Sequence, residues 1–268
     1  MDQAARTALE QRRVDRMRPL RYLVRGPLLL LNVLIAPVLA LSVLNPVAAR
    51  IPVAGTTLEK FVIRQWSAVI VRCFGFRIRH FGTPLPGAVL NVANHISWLD
   101  ILLIHSARPV NFVAKSEIAR WPLVGWLASR AGTIYHRRGN SDSMSSVMGR
   151  VVEHLRAGEP VGVFPEGGSG RGDRVGPFHA RIFQTALDAG AVVQPVALRY
   201  GRDGRQDPDV PFGPGEHFLG NFLRLLGGPS LDAEVHFLEP VPATPDARRR
   251  MAEESRARIM RTLGHGDA

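Results

Sequence analysis

Cysteine is almost missing from this chain of 268 residues. Cys73 is the only one, which excludes an intramolecular disulfide framework and any multi-cysteine zinc or iron–sulfur site. A reducing, cytoplasmic setting is the default expectation. Lysine is nearly as scarce: apart from Lys60 and Lys115, the 34 basic residues are arginines. They outnumber 23 acidic residues and give a formal net charge of +11, which suits nucleic acid, an anionic membrane surface or phosphate-bearing substrates. The arginines are scattered and no recognised nucleic-acid motif accompanies them, so nucleic acid is not expected as a partner. Hydrophobic residues make up 46% and charged ones 21%, which excludes a disordered polyelectrolyte and allows a sizeable core. No lysine follows the glycine-rich stretch, so there is no Walker A loop. No serine sits in a G-x-S-x-G elbow, which argues against an esterase working through Ser97, Ser116 or Ser169. No repeat of about 20–50 residues is present.

One long hydrophobic run is present. Residues 26–49 carry no charge and are long enough to cross a bilayer as a helix. Pro37 and the flanking Asn32 and Asn45 predict a kink or a re-entrant bend. Arginines stand on both sides of the run, which fits a segment that enters and leaves on one membrane face. Residues 58–76 are amphipathic, and two readings stay open: a helix in the lipid interface or a helix covering the core. An N-terminal membrane-associating helical segment is therefore expected over residues 1–75.

From residue 76 onward short apolar runs alternate with helical patterns. Strands are expected at 77–80, 88–93, 111–114, 133–135, 161–164, 192–200 and 234–238, and helices at 97–106, 116–130, 141–157, 178–189 and 246–263. Such alternation reads as α/β, a mostly parallel sheet flanked by helices, over residues 76–268. Residues 202–215, rich in Asp, Pro and Gly, read as a surface loop.

Two segments carry chemistry. The strand at 88–93 runs into Asn94-His95-Ile96-Ser97-Trp98-Leu99-Asp100. Ser97 at a helix N-cap puts Asp100 at the third helical position, within reach of the imidazole Nδ1–H of His95. That would leave Nε2 as a base. The alternative is a capping box beside an ordinary loop histidine. The strand at 161–164 runs into Phe164-Pro165-Glu166-Gly167-Gly168-Ser169-Gly170, where glycine N–H groups can face an oxyanion and Glu166 can hold an arginine or a hydroxyl.

Taken together, N-H-x-x-x-x-D and F-P-E-G resemble the 1-acyl-glycerol-3-phosphate acyltransferase family of membrane lysophospholipid acyltransferases. Gly132–Arg137 is similar to its second block and Val193–Val196 to its fourth. Lys115 and Glu117 resemble the segment after the first block. The resemblance implies transfer of a fatty acyl group from acyl-CoA or acyl carrier protein to a lysolipid hydroxyl at the cell membrane, with the site facing the cytoplasm. His95 would be the base and Asp100 its orienting partner. Lys115, Gly167 and Gly168 would serve the oxyanion, and Arg137, Glu166 and Arg174 the acceptor. No metal or other cofactor is implied. Gly168 and Ser169 occupy positions where the family often has Thr and Arg, and residues 172–178 look like the lyso-ornithine lipid branch. Arg137 and the basic chain favour 1-acyl-glycerol-3-phosphate as acceptor, with lyso-ornithine lipid as the alternative. A non-catalytic membrane-binding protein is the reading from a different class.

Overall fold

The computed structural model describes residues 15–136, 141–242 and 247–265, with residues 141–143 described by their backbone alone. Helix α1 (Arg18–Val43) runs unbroken through Pro27 and Pro37, so the bend expected at Pro37 does not interrupt it. Its 26 residues span about 39 Å, against about 30 Å for a bilayer's hydrocarbon core. The Asn32 amide is absorbed within the helix, where it donates to the Leu28 carbonyl at 2.8 Å. A short hairpin, β1 (Pro52–Val53) and β2 (Thr56–Thr57), leads to helix α2 (Leu58–Cys73). Of the two readings for this amphipathic stretch, core cover is the one realised: Ile70, Val71, Cys73 and Phe74 are buried in the main apolar cluster.

The remaining strands are β3 (Phe76–Phe81), β4 (Val89–Ala93), β5 (Asn111–Lys115), β6 (Ile134–His136), β7 (Val161–Val163), β8 (Val192–Arg202), β9 (Arg205–Gln206) and β10 (Leu231–Phe237). They form one sheet in the order β3-β10-β8-β4-β7-β5-β6, with β9 folded back on β8. The run β8-β4-β7-β5-β6 is parallel throughout, while β10 is antiparallel to β8. Every residue of the central strand β4 is buried, as a parallel strand covered on both faces requires. One face packs under α2, α3 (Leu99–Ala107) and α7 (Phe218–Gly227), through residues such as Val71, Leu103 and Leu225. The other packs under α5 (Ser141–Arg156), α6 (Gln184–Ala189) and α8 (Arg248–Leu263), through Val151, Ala186 and Met251.

The helix expected over 116–130 is split into a 3-10 turn (Ser116–Arg120) and α4 (Val124–Arg130). Pro122 bars a continuous helix, and Leu123 takes a left-handed φ of 60°. The helix expected over 178–189 likewise opens as a 3-10 turn, Ala180–Phe183.

Helix α1 is fastened to the rest of the molecule at its N-terminal half. The Arg25 guanidinium donates to the carbonyls of Phe74 (3.2 Å), Leu226 (3.0 Å) and Gly228 (2.8 Å), and the Tyr22 hydroxyl donates to Leu223 at 2.8 Å. A cation over the free carbonyls at the end of α7 also suits that helix's dipole. A Cβ at Gly227 would lie 2.6 Å from the Tyr22 ring, and one at Gly75 would lie 2.1 Å from Arg25. These two glycines permit the close approach. On the side facing α2, Leu29, Ala36, Ala40 and Val43 are buried, at the spacing of a packed helical stripe. Leu23, Leu30, Leu34, Val38 and Leu41 remain exposed.

Helix α3, which carries Asp100, holds a buried histidine with a consequence for stability. Burial pushes His105 down to about 4. Its ring instead accepts the Val110 N–H through Nδ1 at 3.4 Å. The unfolded chain takes up this proton from about pH 6.5 downward and the folded chain only near 4. The stability tied to the neutral ring is therefore complete above 6.5 and lost progressively as pH falls to 4. His105→Gln keeps an acceptor but does not titrate. Equilibrium unfolding in detergent at pH 7 and 4.5 should show the variant losing about 2–3 kcal/mol less than wild type between the two. Equal losses would refute this assignment.

Candidate active site

Five parallel strands deliver their C-terminal ends to one edge of the sheet, the edge where open α/β sheets bind ligands. Reading across, β8 brings Tyr200, β4 leads into His95, β7 into Glu166, β5 ends at Lys115 and β6 ends at His136. The order of strands in space thus gathers the residues that the sequence separates.

At the end of β4 the Asn94 amide continues the strand pairing with β8. It accepts the Leu198 N–H at 2.8 Å and donates to the Leu198 carbonyl at 3.0 Å. His95 therefore leaves the strand at a fixed point. Asp100 is fully buried and both of its oxygens are engaged. Oδ2 accepts His95 Nδ1–H at 2.8 Å, the Ile96 N–H at 2.7 Å and the Ser97 N–H at 3.0 Å. Oδ1 accepts the Tyr200 hydroxyl at 2.7 Å. Helix α3 starts one residue later than the capping arrangement expected, with Trp98 at the N-cap and Asp100 at the second helical position. The Asp100 carboxylate nonetheless reaches back over the helix start, so capping and the histidine contact occur together rather than as alternatives. Because Asp100 takes the Nδ1 hydrogen, Nε2 keeps its lone pair. Among the described residues nothing hydrogen-bonds to Nε2, and the imidazole side chain is 21% exposed. Its ring stacks on Phe164 with centroids 4.1 Å apart.

Glu166 ties the second segment to the first. Its Oε1 accepts the His95 backbone N–H and its Oε2 the Gly176 N–H, each at 2.8 Å. Burial pushes this carboxyl up, and the two N–H donors work against that rise. The His95 carbonyl in turn accepts the Gly170 N–H at 2.7 Å. From the far side of the loop, Arg256 on α8 donates to the Val175 carbonyl at 2.8 Å and to that of Gly176 at 2.9 Å. The Gly167 N–H closes a turn onto the Phe164 carbonyl at 3.1 Å. Gly168 is exposed, and among the described residues its N–H has no acceptor.

Lys115 is exposed at the end of β5, two strands from β4. Arg174 is exposed on the loop held by Arg256 and has no ion pair among the described residues. Arg137 lies outside the described residues, directly after β6. No group of three or more His, Cys, Asp and Glu side chains converges as a metal site among the described residues.

Sequence reasoning missed Tyr200, which is 100 positions from its partner and reads as one more apolar strand residue. Burial and the Asp100 carboxylate push its phenol well above the usual value, so the proton stays on tyrosine and Tyr200 is the donor. Tyr200→Phe removes this bond while keeping the ring's packing on Phe76. A hydrogen bond to a charged group is worth about 1.5–3 kcal/mol, so turnover at this site should fall roughly 10- to 100-fold in kcat with little change in KM. An unchanged kcat would show that Asp100 needs no such support.

Comparisons with known proteins fit this geometry. The Acyltransferase family model matches residues 78–199, which run from β3 to β8 and include both segments. A lyso-ornithine lipid O-acyltransferase of Pseudomonas aeruginosa is 37% identical over 92% of this chain and 95% of its own length. One from Brucella abortus is 33% identical over 73% of this chain and 78% of its own. A 1-acyl-sn-glycerol-3-phosphate acyltransferase of Neisseria gonorrhoeae is 43% identical, but over 43% of this chain and 45% of its own length. The crystal structure of the 1-acyl-sn-glycerophosphate acyltransferase PlsC from Thermotoga maritima shares the fold, with a TM-score of 0.60 over 79% of this chain and 82% of its own at 21% identity. The histidine-bearing sheet edge and the near full-length similarity lead to one conclusion: this chain belongs to the acyltransferase family, among the lysolipid O-acyltransferases related to 1-acyl-glycerol-3-phosphate acyltransferase.

Proposed function

We propose that the chain esterifies the free hydroxyl of a lyso-ornithine lipid, taking the acyl group from a thioester of coenzyme A or acyl carrier protein. The observation that carries the mechanism is the buried Asp100 holding His95 Nδ1 at 2.8 Å, with Nε2 left free. In this reading Nε2 takes the hydroxyl proton as the oxygen bonds to the thioester carbonyl carbon, help of a kind worth about 10²–10⁴-fold. The carbonyl oxygen becomes an oxyanion, for which the Gly168 N–H and Lys115 are the donors proposed here. Collapse breaks the carbon–sulfur bond, and the imidazolium returns its proton to the leaving thiolate. The thioester is already activated, so no protein nucleophile or metal enters the scheme. Glu166 acts as a positioning residue, since it spends both oxygens on backbone N–H groups that hold His95 and its loop. Arg137 and Arg174 meet the acceptor's anionic group.

The acceptor rests on two points. The relatives that share most of this chain's length carry the lyso-ornithine name. Ser169 also stands where the family often has an arginine, whose fork is a strong phosphate ligand. The site works at a membrane surface and faces the cytoplasm, with α1 buried in lipid through its exposed leucines. Purified full-length protein, given lyso-ornithine lipid in vesicles and either donor, should form the diacylated product. No ester from lyso-ornithine lipid with either donor would refute this acceptor and favour 1-acyl-glycerol-3-phosphate in its place.

A further inference from the structure

Helix α7, which the sequence pattern does not announce, has an apolar face turned outward. Its exposed positions are Leu219, Gly220 and Leu223, and it presents no free charge there because Arg224 is paired with Glu216. Leu219 is 64% exposed and Leu223 43%. The inner face is aromatic. Phe218 meets Trp98 at 5.4 Å and Trp121 at 4.8 Å, and Phe222 meets Phe74 at 5.1 Å. Asn221 accepts the Trp98 indole N–H at 3.0 Å, so α7 is locked to the segment between His95 and Asp100. The turn leading into α4 adds exposed Trp121 and the first residue of α4 adds exposed Val124, with exposed Arg120 before the turn and exposed Arg130 at the far end of α4. Tyr22 and Arg25 of α1 bind carbonyls of α7, and α1 also touches α4, so both helices that carry the patch adjoin α1.

We infer that Trp121, Val124, Leu219 and Leu223 form a second lipid contact that sets the His95 segment at the bilayer surface. The inference rests on the reading of α1 as lipid-buried. A bilayer, rather than a protein, is the occupant because this patch continues the α1 face. The patch is also edged by arginines suited to anionic head groups and has a tryptophan at its rim.

Cys73 is buried, so a single introduced cysteine is the only exposed thiol. Full-length Leu34→Cys (α1), Leu219→Cys and Leu223→Cys (α7), and Val192→Cys are each labelled with an environment-sensitive dye. Val192, at the start of β8, lies at the opposite edge of the sheet and serves as the control. Each variant is mixed with phosphatidylethanolamine–phosphatidylglycerol vesicles containing brominated acyl chains. Dyes at 34, 219 and 223 should lose most of their fluorescence, while the dye at 192 keeps it. Quenching at 34 with none at 219 and 223 overturns the second contact and leaves α1 in lipid. No quenching at any position overturns both. Equal quenching at 192 also overturns the inference, since contact would then be unspecific.

Discussion

Replacing His95 with alanine is expected to lower acyl transfer by about 10²–10⁴-fold, the range of a lost general base. The fold should survive. The ring is only partly buried, and its main packing is the stack on Phe164, a contact worth about 0.5–1.5 kcal/mol. The anchoring of β4 does not pass through the imidazole. Asn94 holds the strand end to β8, and Glu166 holds the His95 backbone N–H, which alanine retains. Vesicle binding should likewise persist, because α1 and α7 are untouched. The check is kcat and KM together with the unfolding midpoint. A large fall in kcat at an unchanged midpoint is the expected pattern, and turnover within a few-fold of wild type would eliminate His95 as the base.

Asp100→Asn is the second large effect, and it separates charge from geometry. An asparagine amide oxygen in the place of Oδ2 can still accept from His95 Nδ1 and from the Ile96 and Ser97 N–H groups. Its NH2 would then face the Tyr200 hydroxyl, which can turn to accept. All four contacts are therefore retained in form. What goes is the negative charge that, in the proposed mechanism, stabilises the imidazolium as the hydroxyl proton arrives. Electrostatic contributions of that kind are worth roughly 10²–10³-fold, so kcat should fall by that factor while the unfolding midpoint changes little. Asp100→Ala differs in kind: it leaves two buried N–H groups and the Tyr200 hydroxyl without an acceptor, and it should lower the midpoint as well. A kcat for Asp100→Asn close to wild type would mean that Asp100 serves only as a helix cap.

How much of this could be read in the sequence differs between the fold and the site. His95, Asp100 and Glu166 stand in short local segments at strand ends, where loop and cap chemistry leaves a sequence trace, and the sheet order joins them. Tyr200 left no trace because its partner is fixed only by the pairing of β4 with β8, a long-range event. The Arg256 contact with the loop at 175–176 is hidden for the same reason. Helix α7 (FLGNFLRLLG) is ten residues long with two internal positions weak in helix propensity, and its stability comes from the aromatic packing and the cationic cap supplied by α1. Pro122 was a legible break that the apolar spacing of 116–130 masked. At Pro37 the proline signal pointed the other way, and α1 continues because its flanking turns are held against α2.

The most direct test is a competition. Full-length protein is placed in vesicles holding equal amounts of lyso-ornithine lipid and 1-acyl-glycerol-3-phosphate, with the better of the two thioester donors, and the products are weighed by mass spectrometry. Diacylated ornithine lipid should dominate, and His95→Ala should form neither product at a comparable rate. Phosphatidic acid as the sole product, or undiminished esterification by the His95 variant, would contradict the proposal.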